Sequence, residues 1–556
     1  MISLSFCIFL PLLTAAAVLA IPSRWRGAIR LASLAGTLAT LAVATCLAAR
    51  YASGGAPSAR EELLLERDRI AAEALGGGDA AREAARARAE ELALAARSPQ
   101  AEHLRFAEHA LWIPQFRVSY FLAADGLSLP LVWLTALLGV LCAAYSWRIE
   151  RAAKAYFALF LLLECGLLGV FCALDFFLFY VFWEVVLLPM YFLIGIWGSE
   201  ARLYAAIKFF IYTLLGSVAM LVAMLILYYR CEPHTFNLLA LSEIAPGLER
   251  GLGSWVFLLL FFAFAIKIPV FPFHTWLPDA HVEAPTAASV VLAGILLKMG
   301  GYGLLRVSYP LLPREAASPA FVSLLAGLGM VNIIYGALCA LAQKDFKKLV
   351  AYSSVSHMGY VLLGLASLTY AGVAGAALQM FNHGVASAML FFSVGVLYDR
   401  AHHRDLAGFG GIGLQMPWYT GLAMVGFFSS LGLPGLAGFV SEVLCFLGAY
   451  DGDPVRGSLV ASPAGIGARW IVYASLLGVV LAAVYILWTV QRVYLGTIRR
   501  EEYRKFPDLS AREVVALAPL AFLCVLLGVA PRILVDFMDG TLTAFVDAVR
   551  AAAGGS

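Results

Sequence analysis

The chain of 556 residues is 62% hydrophobic and only 13% charged, with a formal net charge of +3 and a mean hydropathy of +0.84. That composition argues against a water-soluble globular domain, and basic residues that form no stripe able to follow a phosphate backbone argue against nucleic acid as a partner. Nine cysteines are scattered through apolar runs with no CxxC pair, which speaks against a disulfide framework, a zinc site or an iron–sulfur cluster.

A bilayer core takes about 20 apolar residues per helix. On that rule the sequence is an all-α polytopic membrane protein with about fourteen spans. They lie near 2–21, 28–49, 126–147, 155–173, 175–198, 204–229, 253–276, 285–308, 318–341, 348–368, 371–398, 417–449, 469–496 and 512–531. The first run has no basic residues before it and is followed by Arg24, Arg26 and Arg30, so it reads as a retained helix and not a signal peptide. Residues 53–110 contain no spanning run. They are rich in Ala, Arg and Glu and split by Gly76-Gly77-Gly78-Asp79, which predicts a helical hairpin outside the membrane, with Asp79 capping its second helix and Ser98-Pro99 ending it. Two readings of this insertion stay open: a solvated decoration, or a docking surface for an additional subunit.

Alternate loops carry Arg148, Arg151 and Lys154, then Arg202, then Lys344, Lys347 and Lys348, then Arg400 and Arg404, then Arg499, Arg500, Arg504 and Lys505. By the positive-inside rule this side faces the cytoplasm and both termini lie on the periplasmic side. The expected organisation is 1–52, the first two spans; 53–110, the insertion; 111–150, the third span; 151–310 and 311–500, two five-helix repeats; and 501–556, the last span with its tail.

A charge near the bilayer centre costs at least about 2.5 to 3.5 kcal/mol on insertion scales, so it persists where it is paired or functional. Glu164, Glu184, Lys208, Lys267, Lys298, His357, His383 and Glu442 all fall in apolar runs. Only eight of the 39 basic residues are Lys, yet three of those eight are in this set. Arginine keeps its proton in proteins whereas a desolvated lysine can release it, so the choice points to titration. Structural readings remain for three of them: Lys208 snorkelling to the basic side, His357 capping a turn, and Glu164 bonding a neighbouring helix. Lys267-Ile268-Pro269 with Phe271-Pro272 and, further on, Gly432-Leu433-Pro434-Gly435 predict interrupted helices in spans seven and twelve. Each break has a charge beside it, which suggests two inverted repeats with ion sites at mid-membrane.

Four segments carry a resemblance: FYVFWEVVLLPMYFLIGIWG (179–198), KIPVFPFHTWLPDAHVEAPTAASVVLAGILLKMGGYGLLR (267–306), DFKKLVAYSSVSHMGYV (345–361) and FNHGVASAMLFF (381–392). They are similar to the antiporter-like subunits of respiratory complex I, the proton-pumping NADH:quinone oxidoreductase, over about residues 112–531. The wider superfamily includes multisubunit sodium/proton antiporters and membrane hydrogenases, which stand as the alternative function. Glu442, where the L- and N-type chains usually have lysine, resembles the M-type chain, and the short stretch after span fourteen agrees. The resemblance implies proton transfer with Glu184 tuning Lys267, then Lys298, His357, His383 and Glu442 in sequence along the membrane plane. It also implies L- and N-type neighbours and surrounding lipid in a bacterial inner membrane. No cofactor is expected in this chain; FMN, iron–sulfur clusters and quinone are expected in partner subunits. Residues 53–110 depart from the short loop of the family.

Overall fold

The computed structural model describes residues 3–74, 79–451 and 469–554. α1 (Leu4–Ala20) and α2 (Arg26–Ala52) pack together, and α3 (Ala59–Ala74) and α4 (Asp79–Arg97) pair within the insertion. α4 stops at Arg97, where Pro99 opens a tight turn. The Gly76-Gly77-Gly78 split and the side chain of Asp79, with its expected cap, lie outside the described residues.

Beyond the insertion, β1 (Arg105–Ile113) and β2 (Val118–Ala124) form an antiparallel hairpin with Arg105 opposite Ala124 and Ile113 opposite Val118. The sequence carries little period-2 signal for these strands. Register shifts between Arg105 and Glu108 and between Leu111 and Ile113 break the alternation.

The membrane helices then follow as α5 (Ser128–Tyr145), α6 (Ala153–Cys172), α7 (Phe176–Val185) and α8 (Leu187–Trp197), then α9 (Arg202–Arg230), the short α10 (Leu238–Ile244), α11 (Arg250–Lys267) and α12 (Trp276–Glu283). After them come α13 (Thr286–Leu311), α14 (Pro319–Leu341), α15 (Phe346–Ala366) and α16 (Tyr370–Ala401). The last are α17 (Pro417–Ser430), α18 (Ala437–Tyr450), α19 (Arg469–Val493), α20 (Ala511–Val529) and α21 (Arg532–Gly554). Among the described residues twelve helices are long and apolar enough to cross a bilayer. Two of the fourteen expected spans fall outside that count: α1 has 17 residues, and the 417–449 span is two helices of 14 residues each.

Both interruptions occur where the sequence places them, and each is repaired by an asparagine from another helix. Prolines supply no amide donor and freed backbone groups cannot stay bare in lipid. After Lys267, the Phe271 amide donates to Asn332 Oδ1 at 2.8 Å, the Asn332 amide donates to the Pro269 carbonyl at 3.2 Å, and the Trp276 indole donates to the Ile266 carbonyl at 3.0 Å. At the second break the chain turns through Gly432 (φ +75°) and Gly435 (φ +90°), a conformation that favours glycine. There Asn382 donates to the Ala437 carbonyl at 2.6 Å.

The insertion packs on its own chain. Leu63, Leu92, Ala95 and Leu104 form a small core with Leu239 and Ala240 of α10. Thr235 donates to the buried Glu91, whose carboxyl burial pushes up from its ordinary pKa. Burial would also raise Glu66, but hydrogen bonds from His109 at 2.9 Å and Arg88 at 2.8 Å outweigh it and hold that carboxyl below its usual value. A buried Arg306–Asp125 ion pair at 2.5 Å, with Gln100 accepting from the same guanidinium at 3.1 Å, ties the end of the insertion to α13. α21 closes this face: Leu534, Met538, Leu542, Phe545 and Val549 recur every three or four residues and are buried.

Candidate functional site

The first cluster gathers around the α11 break. Lys267 is the last residue of α11, 1% exposed, and its ammonium has no hydrogen-bond partner among the described residues. It rests on aromatic faces instead, 5.4 Å from the Trp183 ring centre and 5.6 Å from that of Phe209. Trp183 precedes Glu184 near the end of α7. Pro189 removes the amide that would bond the Val185 carbonyl, so α7 and α8 are separated at Val186, two residues past Glu184. Glu184 is half-buried and its Oε1 has no partner among the described residues. No direct bond joins the acid and the lysine; the lysine is set on the indole of the residue before Glu184.

Lys208 does not snorkel freely. Its ammonium donates to Asp279 Oδ2 at 2.7 Å, joining α9 to α12. Glu164 is buried in α6 with both carboxyl oxygens unpartnered among the described residues, so it does not bond a neighbouring helix. The room for it comes from Gly139 of α5, where any side chain would overlap the carboxyl.

The second cluster consists of two bonded pairs whose imidazoles face each other. Lys298, fully buried, sits in α13 between two π-helical turns, Leu292–Leu296 and Leu304–Ser308, a local widening common at functional positions. Its ammonium donates to the Ala293 carbonyl and lies 2.8 Å from Nδ1 of His383 on α16. The His383 ring stands 5.5 Å, centre to centre, from that of His357 on α15. His357 Nε2 lies 2.9 Å from Ser430 Oγ, and its Nδ1 lies 3.3 Å from Glu442 Oε1. His357 is mid-helix, so it caps no turn. The expected order along the plane is altered: His383, not His357, adjoins Lys298, because α16 packs directly against α13. Ser430 ends α17 and Glu442 lies in α18, so the break itself holds both groups against His357. At Gly432 an added Cβ would come within 2.8 Å of the Glu442 carboxylate, so the turn glycine also leaves it space.

Several polar residues at these clusters lay unremarked in the sequence. Asp279 and His281 fall within the 267–306 segment, and Asn332 and Asn382 look like ordinary helix residues until the breaks need partners. Lys347, read as a loop charge, is 5% exposed and donates to the Ala284 carbonyl at 2.5 Å. No group of three or more His, Cys, Asp or Glu among the described residues is arranged to hold a metal ion.

The chain is similar to known proteins over most of its length. The family described as NADH:quinone oxidoreductase/Mrp antiporter, TM, matches residues 173–466, a stretch that holds every candidate residue except Glu164. The chain is 42% identical over 428 residues to NADH-quinone oxidoreductase subunit M of Rickettsia bellii (strain RML369-C), covering 77% of this chain and 83% of that one. It is 42% identical over 473 residues to the protein of the same name from Rhodobacter capsulatus, covering 83% and 88%. Among solved structures, a chain of respiratory complex I from Thermus thermophilus with bound NADH superposes with a TM-score of 0.77 at 28% identity, covering 99% of each chain.

Proposed function

The chain belongs to the NADH:quinone oxidoreductase/Mrp antiporter transmembrane family and resembles its subunit M over most of its length, and from that premise we propose that it carries protons for complex I across a bacterial inner membrane. The route runs through Glu184, Lys267, Lys298, His383, His357 and Glu442. One observation carries this reading: Lys298 stands 2.8 Å from His383 and His357 stands 3.3 Å from Glu442, with the two imidazoles 5.5 Å apart, centre to centre, and no direct hydrogen bond between them. Imidazoles accept a proton at one ring nitrogen and release one from the other, which suits them to the middle of such a file.

The arginine-rich side faces the cytoplasm and the termini face the periplasm on this reading. L- and N-type subunits flank the chain, lipid surrounds it, and FMN, iron–sulfur clusters and quinone reside in other subunits. Quinone reduction there moves Glu184 relative to Lys267. If the pair closed to about 4 Å and opened to about 10 Å, their attraction at an effective dielectric near 20 would change from about 4 to about 1.7 kcal/mol. That difference matches the roughly 2.3 kcal/mol needed to move one charge against 100 mV. Lys208, paired with Asp279, precedes Phe209, whose ring lies 5.6 Å from the Lys267 ammonium, and Glu164 provides a buried proton store beside α13.

The test is Lys267→Ala in the assembled complex, with NADH oxidation and proton uptake measured together in sealed vesicles. Proton uptake per NADH should fall by this chain's share, and an unchanged ratio in a normally assembled complex refutes the assignment.

A further inference from the structure

We propose that a groove in the leaflet away from the arginine-rich side is a binding site for one acyl chain of a bilayer phospholipid. The groove has a volume of about 550 Å³, within the range of roughly 300 to 1,000 Å³ common for ligand sites. Its walls are α2 near its end at Ala48, the first half of α5 from Leu129 to Leu137, and the second half of α20 from Pro519 to Leu527. α21 closes it where α20 stops, and Phe381 of α16 lies at its back. Every lining residue is apolar, and the one polar side-chain atom among them, the Trp133 indole nitrogen, donates to Thr45 at 3.0 Å. Water finds no partner in such a place, and the oxygens of a quinone ring would find no donor. A hydrocarbon chain needs neither.

Length and charge fit the same occupant. From Leu129 to Leu137 α5 advances about 12 Å, and a chain in one leaflet spans half of a hydrocarbon core about 30 Å thick. At the mouth Arg532 opens α21 beside Ile533; it is exposed, with no ion-pair or hydrogen-bond partner among the described residues, and suits a lipid phosphate. The groove also lies directly behind the second cluster. Trp133 stacks on Phe381 at 6.5 Å, two residues before His383 on α16. The next residue of α5, Leu134, presses on Gly384, where an added Cβ would lie 2.7 Å from Leu134 Cδ2 and 3.6 Å from Lys298 Cε. An empty groove would forfeit the dispersion contacts that back this wall. The acyl chain supplies them from the bilayer and keeps α5 and α16 seated behind Lys298 and His383. This consequence, unlike the binding itself, rests on the proton route proposed above.

The experiment equilibrates the whole complex with phosphatidylglycerol carrying a diazirine at mid-chain, moves it into detergent, irradiates it and maps the adducts by mass spectrometry. Lipid on open surface exchanges for detergent faster than lipid in a groove, so adducts on 129–137 and 519–527 should be about tenfold denser than on the exposed face of α9 at Ile207, Ile211 and Leu215. Ala48→Trp fills the groove from α2 and should lower the groove adducts about tenfold. Proton uptake per NADH by that variant in sealed vesicles should stay normal, because the indole takes the place of the chain. Groove labelling no denser than on α9, labelling that survives Ala48→Trp, or groove residues left unlabelled because a neighbouring subunit covers them overturns the site. Lost uptake in an assembled Ala48→Trp complex overturns the filling role. The labelling needs no turnover, so normal uptake in Lys298→Ala, which refutes the proton route, is read separately from it.

Discussion

Asn332→Ala tests whether one side chain from α14 holds the break that places Lys267. The asparagine accepts from the Phe271 amide at 2.8 Å and donates to the Pro269 carbonyl at 3.2 Å, so the substitution strips both backbone groups at once. An unsatisfied buried polar group costs about 1 to 3 kcal/mol. Phe271 is 36% exposed, which puts its amide near the lower end, about 1 kcal/mol, while the buried Pro269 carbonyl takes the rest of a total near 2 to 4 kcal/mol. Amide hydrogen exchange of the complex reads the first part directly. Loss of about 1 kcal/mol of protection speeds exchange at Phe271 about fivefold, and proton uptake per NADH drops because Lys267 loses its fixed position over Trp183. Asn382→Ala at the second break bares one carbonyl and should cost less, since carbonyls tolerate a missing partner better than amides. Unchanged exchange across residues 268–273 in an assembled Asn332→Ala complex refutes the reasoning.

Glu442→Gln removes the anion 3.3 Å from His357, an attraction of about 5 kcal/mol for a charged imidazole at an effective dielectric near 20; proton uptake by this chain should collapse, Glu442→Asp should keep part of it, and equal uptake in both variants counts against the file. Lys208 and Asp279 are 19% and 30% exposed in their side chains, so a double-mutant cycle with Lys208→Gln and Asp279→Asn on thermal stability of the complex should give a coupling near 0.5 to 1 kcal/mol that weakens in salt. Glu66 is held below its ordinary value in the fold, so its contribution is complete above the unfolded carboxylate range and is lost as pH falls through the folded value. Protease cleavage within 59–97 should therefore rise on acidification, and Glu66→Gln should flatten that dependence.

How much of this was legible in the sequence follows from which forces act locally. Span positions and both interruptions depend on apolar run length and on Pro and Gly, which are written in order along the chain, so α11, α17 and α18 fall where the sequence puts them, whereas α12 runs on past the expected end of span seven at 276 to Glu283. The titratable residues stand out for the same reason, because a charge in an apolar run is visible without knowing its neighbours. Partners are not. Asp279 for Lys208, Asn332 for the first break and Ser430 for His357 are set by which helices touch, a property of packing between residues 61 to 73 positions apart. The order of His383 before His357 is hidden for that reason too. The β1–β2 hairpin was masked by its bulges, whereas the apolar face of α21 shows a helical period that the overall charge of the tail obscured.

The two clusters differ in a way that bears on where control resides. At the second, Lys298 already meets His383 and His357 already meets Glu442, which leaves only the gap between the imidazoles. At the first, Lys267 Nζ, Glu184 Oε1 and the Trp183 indole nitrogen all lack partners among the described residues. Groups already in contact pass a proton by small rearrangements, whereas unpaired groups gain attraction when a displacement brings them together. The backbone contact between the two clusters leaves little slack. At Gly300, two residues past Lys298, an added Cβ would lie 2.6 Å from Ile268 and 2.7 Å from the Phe264 carbonyl, so α13 rides directly on the end of α11 that carries Lys267. On the proposed route a displacement at the loosely held first cluster passes to α13 through this contact, and the second cluster responds to it.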